Sequence, residues 1–128
     1  MKDQMDQGQQ RSQSPEDLFD RSKRYARAAR EFFRQAPKTV ANREYERQGI
    51  RSSGSVAANY IESREALSKR DAAHRIRICR KESKETKLWV ELTETGKNST
   101  LEQEQQRLMR ESDELIRIFT SIVTKLSP

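Results

Sequence analysis

The segment from Arg47 to Glu62, RQGIRSSGSVAANYIE, decides how this chain folds. It contains no Pro and lies between stretches with helical periodicity, yet its repeat positions hold Ser, Gly, Ala and Asn where a bundle core usually shows Leu or Ile. RSSGS lacks the spacing and the terminal Gly-Lys-Ser/Thr of a P-loop, so it is not read as a phosphate cradle. The reading is a close-packing helix. Ser52, Ser55 and Asn59 face its seam, Val56 and Ile61 add modest apolar contact, and Gly49 and Gly54 are tolerated at some cost in helix propensity.

Three more helices surround this one. Upstream, residues 1–14 are polar and rich in Gln and Ser without periodicity, which predicts a disordered tail. Order begins at SPED: Ser14 caps, Pro15 suits the first turn, and Glu16 and Asp17 complement the helix dipole. The first helix, about 15–36, steps through Leu18, Ser22, Tyr25, Ala29, Phe32 and Ala36 until Pro37 stops it. Thr39 caps the second, about 39–62. Ser68 caps the third, about 68–95, whose inner steps are Ala72, Ile76, Cys79, Ser83, Thr86 and Val90, with Gly96 as its terminator. Asn98, Ser99 or Thr100 caps the fourth, about 100–126, with Leu101, Leu108, Leu115, Phe119, Ile122 and Leu126 on its seam and Gln105 and Ser112 as polar steps. No segment alternates with period two, so the expected class is all-α, an up-down-up-down four-helix bundle over 15–128.

Composition narrows the function classes. With 36% charged, 32% hydrophobic and 6% aromatic residues, a 128-residue chain has a thin core and little room for a large buried pocket. Subunits that complete one another's cores fit that composition, so an oligomer is expected. The net charge of +6 suits an anionic partner such as RNA or DNA, although many proteins without such a partner share it. Cys79 is the single cysteine, which excludes an intrachain disulfide and a CxxC site. No apolar run reaches membrane-spanning length and the first residues lack a signal-peptide core, so a cytoplasmic protein without a membrane partner is expected.

Two motifs carry a family resemblance. PKT followed by QGIRSSGSVAANYIE, and then SKRDAAHRIRICRKESKETKLWVEL, resembles the bacterial proteins encoded in intervening sequences of 23S rRNA genes. The specific positions are Gln48, Arg51, Ser52, Ser55, Val56, Ala58, Asn59 and Glu62, then Ser68, Asp71, Lys81, Glu82, Glu85, Thr86 and Trp89. The resemblance spans about 30–126. It departs modestly at Ser63, Ala72, Ala73 and Val90. That family is similar in fold to the accessory variability protein of diversity-generating retroelements, which works with a reverse transcriptase and its RNA. The resemblance therefore implies a four-helix bundle assembled as a homopentamer, with a reverse transcriptase as one conceivable partner and no enzymatic chemistry or cofactor.

The sharpest candidate surface is the third helix. At 100° per residue Arg70, His74, Arg77, Lys81 and Lys84 fall within roughly an 80° arc opposite the seam, flanked by Arg80 and Lys87. Such an array neutralises phosphates without reading sequence. The competing reading is a solvated face whose charges pair locally with Glu82 and Glu85. Arg21, Lys23, Arg24, Arg27, Arg30 and Arg34 on the first helix either extend the stripe or serve solubility. Few exposed aromatics accompany these cations, which favours backbone contact over base stacking. Trp89 and Ile78 form a second apolar edge, either against an adjacent helix or at a subunit interface.

Catalytic signals are weak. One histidine, His74, cannot supply the Glu-x-x-His pairs of a di-iron bundle, so no metal is expected. His74 and Cys79, five residues apart, point to different sides of a helix, and Cys79 reads as a small core residue. The leading expectation is a noncatalytic oligomer that binds nucleic acid, most simply RNA. A protein-interaction scaffold or accessory subunit is the alternative.

Overall fold

A computed structural model describes residues 14–127. The expected tail lies outside the described residues except for Ser14. Four helices follow: α1 (Pro15–Gln35), α2 (Val40–Arg64), α3 (Lys69–Leu92) and α4 (Ser99–Leu126). No strand occurs among the described residues. Each helix starts on a side-chain oxygen that accepts a backbone N–H three residues on: Ser14 from Asp17, Thr39 from Asn42, Ser68 from Asp71 and Asn98 from Leu101. Such a cap contributes about 1 kcal/mol, and it fixes where each helix begins.

Short connections make sequential helices antiparallel neighbours. α2 packs most extensively on α3, α3 on α4, and α1 on α2, while α1 and α4 meet sparingly. Bulky groups come mainly from the outer pair: Leu18, Tyr25, Phe32 and Phe33 from α1, and Leu101, Leu108, Leu115 and Phe119 from α4 are buried. From α2 and α3 come Val56, Tyr60, Ala73, Ile76, Cys79 and Val90, among buried Ser52, Ser53, Ser83 and Thr86. On α3 the inner alanine is Ala73, fully buried, while the expected Ala72 is half-buried. Buried hydroxyls require partners, and most have them here. The Tyr25 phenol donates to the Ser112 hydroxyl at 2.5 Å, Ser112 donates to the Leu108 carbonyl, and Thr86 lies within reach of the same phenol. Thr86 bonds Ser52 at 2.6 Å and donates to the Glu82 carbonyl at 2.8 Å, and Ser83 donates to the Cys79 carbonyl. Hydroxyl pairs thus tie α1 to α4 and α2 to α3 through the core.

Close approach explains one glycine. A Cβ on Gly49 would stand 2.1 Å from the Phe33 ring, so the α1 aromatic occupies the space a side chain would need. The end of α3 differs from expectation. The helix stops at Leu92, short of Gly96, and Thr93 serves as the C-cap. Two side chains from other helices cause this. The Gln105 amide donates to the Val90 and Thr93 carbonyls, both at 2.9 Å. Asn42 donates to the Pro37 and Glu94 carbonyls and accepts from the Glu94 N–H. With these carbonyls satisfied from outside, the chain leaves the helix early, and Gly96 (φ 69°) and Lys97 (φ 63°) form the turn into α4. α2 correspondingly runs two residues past Glu62, to Arg64.

Gly49→Ala should lower stability by about 1–3 kcal/mol through overpacking on Phe33, against a helix-propensity gain of about 1 kcal/mol; urea unfolding of the two proteins measures the difference. A second expectation concerns alkaline pH. Burial raises the Cys79 thiol from 9.0 to about 12 and also raises the Tyr25 phenol above its ordinary 10.0. Both groups stay neutral in the fold where the unfolded chain would ionise. Stability from these groups is therefore complete below about pH 9 and declines as pH rises toward 12, read as a falling urea midpoint. Consistent with this, native Cys79 should resist an aromatic disulfide reagent at pH 8 and react on unfolding.

Candidate nucleic-acid interface and the polar ladder between α2 and α3

The outer face of α3 carries the cations that periodicity placed there. Arg70, Arg77, Lys81 and Lys84 are exposed, with His74 among them, and none of the four cations has an ion pair among the described residues. The two flanking cations turn toward α4 instead: Lys87 pairs with Asp113 at 2.9 Å, and Arg80 donates weakly to the Thr120 hydroxyl at 3.5 Å. Leu88 and Leu92 continue the line of the stripe and are 44% and 43% exposed.

Why the stripe stays uncompensated is visible on the next edge of α3. Glu82 and Glu85 do not pair with cations of their own helix. Both face Arg51 of α2, at 3.6 Å and 3.4 Å. Glu82 is buried and accepts from the Ser55 hydroxyl at 3.3 Å. Asn59 donates to the Ser55 hydroxyl and carbonyl, and its own oxygen accepts from Arg75, which also lies 4.0 Å from Glu62. Gln48 and Arg47 hold Glu44 one turn earlier, and the Gln48 bond does most to keep that carboxyl below its ordinary range. The motif positions Arg51, Ser55, Asn59, Glu62, Glu82 and Glu85 therefore meet as one polar ladder across two helices, with Ser52 and Thr86 as its inner rung. Ser55 and Asn59 are half-buried at this edge, while Ser53 is the buried neighbour of Ser52 that periodicity had not singled out.

Trp89 and Ile78 occupy the same side of α3, both half-buried. The Trp89 ring stacks on Tyr45 of α2, centroids 6.0 Å apart, and packs against the core, so it contacts an adjacent helix of its own chain. On α1, Arg21 grips Glu111 with two bonds of 2.7 and 2.8 Å, which raises its pKa, and Arg30 and Arg34 share Glu31. Arg24 and Arg27 are exposed without a carboxylate partner among the described residues. The sparse α1–α4 contact leaves a groove of about 530 Å³ over Arg21, Tyr25, Ala28 and Arg107, where the guanidiniums of Arg21 and Arg107 already hold Glu111 and Glu104. Among the described residues, no three His, Cys, Asp or Glu side chains are placed to hold a metal, and no helix is long and apolar enough to cross a membrane.

Four capped antiparallel helices joined by a hydroxyl-lined core and a polar α2–α3 ladder define a small-residue four-helix bundle. The chain belongs to the 23S rRNA-intervening sequence protein family, whose model matches residues 16–121. Its fold is similar to the crystal structure of a protein of unknown function from the S23 ribosomal protein family of Bacteroides thetaiotaomicron. That likeness has a TM-score of 0.68 and 25% identity over 86% of this chain and 97% of the other. No curated protein matches the chain.

The ladder makes a prediction of its own. Arg51→Ala should destabilise the fold by about 1 kcal/mol, because Arg51 is half-exposed but serves a buried carboxylate. Adding Glu82→Gln should recover most of that loss. A double-mutant cycle in urea reads the coupling, and additive effects would separate the two residues.

Proposed function

We propose that this protein is a noncatalytic, homo-oligomeric four-helix bundle that binds nucleic acid through the phosphate backbone, with RNA as the preferred class. The observation that carries the reading is the division of charge on α3. Its carboxylates Glu82 and Glu85 turn to Arg51, leaving Arg70, Arg77, Lys81 and Lys84 exposed and unpaired along one face. From Arg70 to Lys84 the stripe is about 21 Å long, which spans several phosphates of a duplex or a folded strand. Cations with no intramolecular partner exchange only water and counterions for phosphate, so their binding is not opposed by a broken ion pair. Repetition of the stripe around an oligomer multiplies the sites. The family's tie to intervening sequences of 23S rRNA favours an RNA partner over DNA.

A second reading, a protein-interaction scaffold or accessory subunit, is favoured by Leu88 and Leu92, which extend the stripe with exposed apolar surface. Titration of a labelled structured RNA separates the two. Engaging four phosphates per subunit, affinity should fall roughly 50- to 150-fold between 50 and 200 mM salt. Replacing Arg77, Lys81 and Lys84 by Glu should abolish binding while leaving the helical circular dichroism unchanged. Absence of binding at 50 mM salt, or binding indifferent to the triple replacement, would overturn the nucleic-acid reading.

A further inference from the structure

The bundle is cationic on two sides, and the function proposed above uses only one of them. α1 packs on α2 and α4, and α3 packs on the same two helices, so α1 and α3 stand at opposite corners with their outer faces pointing apart. With roughly 8–10 Å between neighbouring axes and the reach of the side chains added, those faces are about 25 Å from each other. The cations of α1 therefore do not extend the α3 stripe. They make a face of their own: Lys23, Arg24, Arg27, Arg30 and Arg34 fall within roughly a 120° arc opposite the buried Tyr25, Ala29 and Phe32. Two carboxylates accompany them. Asp20 holds Lys23 at 3.4 Å, and Glu31 is divided between Arg30 at 3.3 Å and Arg34 at 3.0 Å. Arg24 and Arg27 are exposed and have no carboxylate partner among the described residues. Five cations against two carboxylates leave an excess of three positive charges, spread over about 17 Å of helix.

We propose that the outer face of α1 is a second phosphate-backbone site, and that one subunit bridges two separate nucleic-acid segments, one on α3 and one on α1. Charge sets the partner, since exposed guanidiniums take phosphate oxygens in paired hydrogen bonds. Contact is again with the backbone: Phe19, the one aromatic of α1 that is not buried, already carries the Lys23 ammonium over its ring at 4.4 Å. An acidic protein would match the charge as well, but protein interfaces draw their energy from apolar anchors, and this arc exposes none. Duplexes are stiff over roughly 150 base pairs, so a short hairpin seated on α3 does not bend round to α1. The second face therefore takes a second segment. Holding two backbones on opposite sides of one subunit raises the concentration of each segment near the other. The inference rests on the nucleic-acid reading above and adds to it a second site and a bridging activity.

Two short RNA hairpins of unrelated sequence, one with a donor and one with an acceptor fluorophore, test both levels at 50 mM salt. Anisotropy reads the capture of one hairpin, and energy transfer reads the bridging of two. Wild-type protein should do both. Affinity for the second hairpin, engaging three phosphates, should fall roughly 20- to 40-fold between 50 and 200 mM salt, less steeply than for the first. Arg24→Glu combined with Arg27→Glu should abolish transfer while helical circular dichroism stays unchanged and single-hairpin affinity stays within about threefold. Arg24→Lys combined with Arg27→Lys should retain transfer. No capture of either hairpin by wild type would overturn the nucleic-acid reading and this inference together. Capture without transfer refutes the bridging alone, and a labelled polyglutamate bound through Arg24 and Arg27 would then give the face to an acidic protein. Transfer that persists in the double Glu variant places the second hairpin on another subunit's α3 and refutes the α1 site. Loss of capture together with transfer in that variant would merge the two faces into one site, which also refutes the inference.

Discussion

The bundle depends on hydroxyl groups that must find one another in its interior. Tyr25 from α1 meets Ser112 from α4, with Thr86 from α3 within reach, and Thr86 in turn meets Ser52 from α2. An apolar seam tolerates sliding by a fraction of a turn, because hydrophobic contact has no direction. A buried hydroxyl does not, since each one left without a partner costs about 1–3 kcal/mol. These bonds therefore fix the register of α1 on α4 and of α2 on α3, and the small residues around them permit the short distances that the bonds require. One member of the interior stays outside the scheme: the Ser22 hydroxyl is buried without a partner. The structure gives no physical account of it.

That same economy of size shapes the exterior. Because α2 is built from Ser, Gly, Ala and Asn, α3 approaches near enough for Arg51 to serve two of its carboxylates and for Ser55 to bond Glu82. Exposed ion pairs contribute little individually, but their placement determines which charges remain free. Had Glu82 and Glu85 stayed with the cations of their own helix, the outer stripe would be a mixed, solvated face. Their capture by Arg51 leaves a line of uncompensated positive charge. The packing of the interior thus reaches the surface, where it sets the sign and extent of the electrostatic face.

Much of this architecture was legible in the sequence, and the physical reason is locality. Caps such as Ser14, Thr39 and Ser68 act within three residues, and the seams of α1 and α4 repeat with bulky apolar groups, so both can be read from neighbouring positions. The termination of α3 was not legible at Leu92, because Gln105 and Asn42 arrive from helices far along the chain to satisfy its last carbonyls. Arg21–Glu111 and Lys87–Asp113 were hidden for the same reason. For Ser55 and Asn59 the periodicity gave the side of the helix correctly enough to bring them toward α3. It did not distinguish core from edge, a matter of how closely two helices approach. The family motif was recognised as a string, and the structure adds that its residues are one another's partners.

The two glycines of α2 carry this logic to single positions. A residue that is costly in a helix persists in a stable fold when some neighbour needs the space, and for Gly49 that neighbour is the Phe33 ring. Gly54 has the same cost, and a Cβ there would meet nothing within 4 Å, so packing within the chain does not set its size. Residue size in α2 is therefore dictated where a facing ring needs the room and left free where the helix meets solvent.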